Sequence, residues 1–152
     1  MKTKSRIARR LCVGIVSAAL VFGALPLVTG STVNADMSYE LSGTAHVQDL
    51  GDTEGVWDAS TGILTLGTRG QGRRVEAITI KFASNNLGQD GTLMYRVHVQ
   101  DYGWQDYKEV GQMAGTSGEA KRLEGIEMIF TGGLSEYYDV EYRVHIEDYG
   151  DA

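Results

Sequence analysis

The stretch "YRVHVQDYGW" (Tyr95 to Trp104) returns as "YRVHIEDYG" (Tyr142 to Gly150) and has a blurred counterpart in "TAHVQDLG" (Thr44 to Gly51). His46, His98 and His145 mark the three occurrences, 52 and 47 residues apart. A second block repeats with a constant shift of 48: "GTRGQGRRVEAITIKF" (Gly67 to Phe82) against "GTSGEAKRLEGIEMIF" (Gly115 to Phe130). Gly67/Gly115, Thr68/Thr116, Gly70/Gly118, Arg74/Arg122, Glu76/Glu124, Ile78/Ile126 and Phe82/Phe130 are shared. Self-similarity at such a period means that one supersecondary unit is used in tandem, and that each copy must bury its apolar face against a neighbour. The units run over about 37–93 and 94–140, with a partial third at 141–152.

Within each unit the apolar residues alternate with period two, the pattern of half-buried strands. Tyr95, Val97 and Val99 fall on one face, and Arg96, His98 and Gln100 on the other. Ile78, Ile80 and Phe82, with Ile126, Met128 and Phe130, form two more inward rows. No segment sustains a helical stripe. The chain has 20 glycines and a single proline, Pro26, so its turns rest on Gly, Asn and Asp. The expected fold is all-β: an antiparallel, sandwich-like domain of about seven strands, built from two tandem units with the terminal "YRVHIEDY" as a capping strand. Capping answers the hazard of an open strand edge. The three histidine openings also admit a trefoil-like, pseudo-threefold barrel.

The first 35 residues read as a secretory signal peptide. Five basic residues (Lys2, Lys4, Arg6, Arg9, Arg10) precede an apolar run from Leu11 to Val28, and Val33 and Ala35 supply small residues for cleavage after Ala35. The only cysteine, Cys12, lies inside that segment, so the mature domain, 36–152, is expected to hold neither disulfide nor reactive thiol. Removing the leader takes five of the 14 basic residues and none of the 20 acidic ones, leaving nine against 20, a formal charge of −11. A surface of that sign repels nucleic acid and anionic polymers. Expected partners are a polysaccharide or a surface protein, with no nucleic acid and no membrane span after cleavage. Without a sorting motif, any retention at the cell surface is expected to be noncovalent.

The run "HVQDYGWQDY…GQMAGTSGEAKRLEGIEM" closely resembles the ChW repeat, a clostridial hydrophobic repeat with a conserved tryptophan found in secreted and surface proteins of Gram-positive bacteria. The resemblance covers His98 to Phe130 well and His46 to Phe82 in degenerate form. It implies export and an adhesive or polysaccharide-associated role, and brings no catalytic residue with it. Unit one departs from the pattern, with "GVWD" in place of "GWQD", and its "LGDTEGVWDASTGI" (Leu50 to Ile63) is longer than "YGWQDYKEVGQ" (Tyr102 to Gln112), an insertion expected to lie in a loop.

Among side chains that carry chemistry, Trp57 and Trp104, with Tyr102, Tyr107 and Tyr149, are candidates for an aromatic platform on which sugar rings stack. The alternative is that each tryptophan anchors the core. Trp104, beside Gly103 and Gln105, is the better ligand candidate, and the segment around Trp104, Gln105, Tyr102 and Tyr107 is the expected binding surface because loops carry recognition. The three histidines lie one per unit, so the expectation is a repeated structural hydrogen bond rather than a metal site. "NNLGQDG" (Asn85 to Gly91) and "EDYGD" lack calcium-loop spacing, and the Gly-Thr-x-Gly turns lack the lysine of a phosphate loop. No cofactor is expected. A non-catalytic binding module is favoured, glycan-directed before protein-directed, with a hydrolase least supported because no carboxylate pair is singled out by spacing.

Overall fold

The computed structural model describes residues 9–16, 19–24, 38–86, 90–146 and 150–151. The expected cleavage site around Val33 and Ala35, residues 87–89 within "NNLGQDG", and residues 147–149 that open "EDYGD", Tyr149 among them, lie outside them. Unit one contains β3 (Ser38–Val47), β4 (Gly51–Glu54), β5 (Val56–Asp58), β6 (Ile63–Thr65) and β7 (Val75–Asn86). Unit two contains β8 (Leu93–Val99), β9 (Gly103–Trp104), β10 (Lys108–Glu109), β11 (Ala114–Gly115) and β12 (Leu123–Phe130). A four-residue helix, α1 (Leu134–Tyr137), leads to β13 (Tyr138–Ile146) and β14 (Gly150–Asp151). Two strands precede them, β1 (Arg9–Val16) and β2 (Ala19–Ala24). Against the expectation of about seven strands for 36–152, the described residues there hold five long ones (β3, β7, β8, β12 and β13) and seven of two to four residues (β4 to β6, β9 to β11 and β14).

In each unit the opening strand pairs antiparallel with the Ile-x-x-x-Phe strand, β3 with β7 and β8 with β12. Both ladders slip at the same place. Glu76 is skipped between the pairs His46↔Ala77 and Val47↔Val75, and Glu124 between His98↔Gly125 and Val99↔Leu123. The repeated Arg-x-Glu motif is therefore a β-bulge, a two-against-one irregularity that sharpens the local twist. Arg74 Nε donates to Glu76 at 2.8 Å, and Arg122 lies 3.0 Å from Glu124, which accounts for both pairs as structural. The "VQD" turns match as well. Asp49 and Asp101 adopt φ of +63° and +66°, a region that aspartate tolerates better than most residues, and each is held by a basic residue across the turn, Arg73 at 2.9 Å and Lys121 at 2.6 Å.

The two sheets share one core. Leu41, Ala45, Val47, Ile78 and Ile80 from unit one meet Leu93, Tyr95, Val97, Val99, Ile126 and Phe130 from unit two. Both expected apolar rows are present, with Phe82 and Met128 half-buried at the margin. The junction is completed by β11, a strand of unit two that pairs with β7 of unit one (Ala114↔Ile78, Gly115↔Ala77). The buried Tyr95 hydroxyl spans the same junction, accepting from the Ile80 N–H at 3.0 Å and donating to the Gln112 carbonyl. Burial pushes its ionisation up.

Three expectations need correction. No barrel closes: β3, β8 and β13 sit in three different sheets, which removes the trefoil alternative. The segment between Leu50 and Ile63, expected as a loop, forms the hairpin β5–β6, turned by Asp58 accepting from the Ser60 N–H at 2.9 Å, and it leads Leu64 and Leu66 into the core. The terminal strand caps by packing rather than by pairing with either unit. Tyr138, Val140 and Val144 lie against the core, with the Tyr138 and Phe130 rings 6.0 Å apart, whereas the backbone of β13 pairs with β1, β2 and β14, and Tyr142 points outward at 43% exposure.

Replacing Tyr95 by Phe removes one hydroxyl and leaves the buried Ile80 N–H without its acceptor, which costs about 1–3 kcal/mol. Urea unfolding measures it. A change within about 0.5 kcal/mol, the range of ordinary surface substitutions, would show that the junction does not depend on this bond.

Candidate functional site

The outward residues of β8 and β12 form cross-strand rows: His98 opposite Gly125, Arg96 opposite Glu127, and Met94 opposite Ile129. On the other edge of β8, the short β9 sets Trp104 opposite His98. The indole therefore lies across β8 with its ring edge-on to His98, centroids 5.4 Å apart, and reaches Gly125. A Cβ at Gly125 would come within 3.2 Å of Trp104 Cη2, so the glycine leaves the space in which the indole is seated. Trp104 keeps 45% of its surface in solvent.

Arg96 organises what surrounds it. Its guanidinium carbon sits 5.0 Å from the Trp104 ring centroid and 4.8 Å from that of Tyr107, a cation between two aromatic faces. Glu127 receives hydrogen bonds from Arg96 at 2.7 Å and from the Tyr107 hydroxyl at 2.8 Å. These bonds, Tyr107's first and then Arg96's, hold the Glu127 carboxyl below its usual range; the bond to Glu127 raises both Arg96 and Tyr107. Tyr107 is thus a structural brace for Trp104 as well as a neighbour. Tyr102 stands apart, 58% exposed, donating to Glu119 at 2.6 Å, with Lys121 5.8 Å from its ring.

The Gln105 side chain bonds the backbone at both ends, accepting from the Gly115 N–H at 2.8 Å and donating to its carbonyl at 3.2 Å. It behaves as one more β-residue, tying the Trp segment to the Gly-Thr turn. Beside it opens a shallow depression lined by Trp104, Gln105, Asp106, Lys108, Met113 and Gly115. Its lining combines apolar surface (Trp104 and the 48% exposed Met113) with an acidic and a basic side chain. Arg96, Glu127, Asp106, Lys108 and Met113 were not among the sequence candidates. For Arg96 and Glu127 the signal was available: period two places both on the outer face, one residue pair from His98 and Gly125.

Trp57 belongs elsewhere. It sits on β5, half-buried against the core and edge-on to Tyr39 at 5.8 Å. The counterpart of Trp104 in unit one is Asp52, which lies opposite His46 as Trp104 lies opposite His98. Aligning "GVWD" with "GWQD" obscured this; aligning "HVQDLGD" with "HVQDYGW" reveals it. His46 Nδ1 is 2.6 Å from Asp52, and His98 Nδ1 is 3.3 Å from Glu124 without hydrogen-bond alignment. The side chain of His145 lies outside the described residues. Among the described residues no group of histidine, cysteine and carboxylates converges as a metal site.

Because both of its hydrogen bonds favour the ionised form, Glu127 keeps Arg96 and Tyr107 in place above the ordinary glutamate range and releases them as pH falls through its lowered value. In a background of Trp57→Phe with His98→Gln, which takes the imidazole away from the indole, Trp104 fluorescence should stay constant from neutral into mildly acidic solution and change only below that range. A midpoint at or above the ordinary glutamate value would contradict the arrangement.

No curated protein and no solved structure matches this chain. Two stretches, residues 46–83 and 98–132, match the family model described as Clostridial hydrophobic W; each runs from the histidine near the end of the opening strand, through the Trp segment, to just past the Phe of the bulged Ile-x-x-x-Phe strand. The chain thus carries two repeats that match the ChW family model.

Proposed function

We propose that the protein is a secreted or surface-associated binding module whose unit-two face takes a neutral polysaccharide. The observation that carries the reading is Trp104: a large aromatic side chain packed against Arg96, His98 and Gly125, yet almost half exposed in the lining of a depression that polar side chains also line. A preformed apolar surface with a few polar groups is the usual composition of a small-ligand site. The C–H face of a pyranose stacks on the indole, while Asp106 accepts from and Lys108 donates to ring hydroxyls. Tyr107 supports the platform through Arg96, Gln105 fixes its connection to the turn, and Tyr102 extends the aromatic surface. Trp57 is left to the core. The chain's acidic charge disfavours polyanions. Export rests on the leader and on the family's association with surface and secreted proteins; no helix among the described residues is long and apolar enough to cross a membrane.

A second reading, contact with a surface protein, is favoured by a separate depression at Met128, Ile129, Phe130, Ser135, Tyr138, Asp139 and Val140, beside which Tyr137 is 49% exposed. Titration with neutral wall polysaccharides, followed by Trp fluorescence, separates the two. Trp104→Ala should weaken glycan binding about tenfold or more, as loss of a buried aromatic anchor does, while Trp57→Phe binds as the parent. Binding unaffected by Trp104→Ala, or surface association that survives sugar competition and fails after protease treatment of cells, moves the interaction to the second face.

A further inference from the structure

The replacement of the family tryptophan by Asp52 changes what unit one's histidine can do. In unit two, His98 is covered by an indole. In unit one a carboxylate stands in that position, 2.6 Å from His46 Nδ1, and the opposite ring nitrogen, Nε2, lies 3.4 Å from the Ser117 hydroxyl. The order of atoms matters. A carboxylate only accepts, so the Asp52 contact places the imidazole proton on Nδ1 and leaves Nε2 as the acceptor facing Ser117. Ser117 comes from unit two. It reaches His46, which is 71 residues away in sequence, because β11 pairs with β7 and sets the Gly-Thr-x-Gly turn against the end of β3. Ser117 is exposed, and the His46 side chain is 20% exposed between it and Asp52.

We infer that Ser117, His46 and Asp52 form a nucleophilic site for carboxylic esters with a short acyl group. The chemistry follows from the placement of the three groups. The Ser117 Oγ bonds to the ester carbonyl carbon as its proton passes to His46 Nε2 and the carbonyl π pair moves onto oxygen. Collapse of that adduct breaks the carbon–alkoxy bond, and the alkoxide takes the proton from Nε2 and leaves as an alcohol. Water then adds to the acyl-serine, giving its proton to Nε2; the acid departs and Ser117 Oγ is reprotonated. The backbone N–H groups of Ser117 and Gly118, in the same turn, are the nearest donors by sequence for the oxyanion. Asp52 is a positioning residue: it fixes the tautomer and never touches the substrate. The open surface favours a short acyl group on a large alcohol, which is the form of an O-acylated sugar.

A purely structural hydrogen-bond chain predicts the same contacts and no reactivity, so the test reads reactivity. The full chain is treated with a fluorophosphonate, and the modified serine is located by peptide mass mapping; 4-nitrophenyl acetate turnover is followed in parallel. The expected result is one adduct, on Ser117, absent in Ser117→Ala and formed at least about tenfold more slowly in Asp52→Asn, whose tautomer is released, while circular dichroism is unchanged. Labelling that avoids Ser117, or proceeds there at the parental rate in both Asp52→Asn and His46→Gln, overturns the inference. If either His46 or Asp52 proves necessary for folding, the location of the adduct in the parent chain still decides.

Discussion

Gly115 meets β7 at a distance no other residue could keep. Its φ is +113°, and a Cβ there would fall 2.3 Å from the Glu76 carbonyl oxygen and 2.6 Å from Ala77 Cα. A side chain at this position is excluded by both conformation and space. With it absent, β11 of the second unit pairs with β7 of the first, Thr116 N–H reaches the Glu76 carbonyl at 2.9 Å, and Gly111 N–H reaches that of Ile80 at 2.7 Å. The backbone of one repeat thus completes the sheet of the other. The rest follows from that junction: the shared core, the Tyr95 bridge, the Gln105 clamp at the rim of the Trp104 depression, and the approach of Ser117 to His46.

The same junction explains why two similar sequences do different things. Gly125, at the register position opposite His98, carries no Cβ, and an indole is seated in the space this leaves. Ala77, at the equivalent position opposite His46, carries a methyl group, is buried, and pairs on its other side with β11. Unit one therefore has no room for a tryptophan lying across its strands, and Asp52 occupies the hairpin position instead. One repeat presents an aromatic surface and the other a polar chain of carboxylate, imidazole and hydroxyl. Division of this kind needs no change of fold, only of the residue three places beyond the turn aspartate and of the residue across the strand that seats it.

Much of this was legible in the sequence. Period-two alternation identified the long strands and their inward rows, and the constant shift of 48 residues foretold that Arg74/Glu76 and Arg122/Glu124 share one local structure, which proved to be a bulge. Tandem repetition did not disclose which edges pair, because a two-residue strand such as Ala114–Gly115 has no periodicity to read. That gap left the trefoil alternative open and gave the terminal strand a pairing role where it packs by Tyr138, Val140 and Val144. The site was half visible. Trp104 stood out by its residue type; Arg96 and Glu127, which hold it, belong to different strands and meet only through the register. Trp57 misled because a tryptophan attracts alignment more strongly than the Gly-Asp that keeps the true spacing.

If the junction at Gly115 makes the two repeats one structure, they must unfold together. Differential scanning calorimetry tests this directly on residues 36–152, by comparing calorimetric with van't Hoff enthalpy. The account predicts a single transition with the two enthalpies equal. Two resolved transitions, or a calorimetric enthalpy near twice the van't Hoff value, would show that each repeat folds alone and that β11 merely rests on its neighbour.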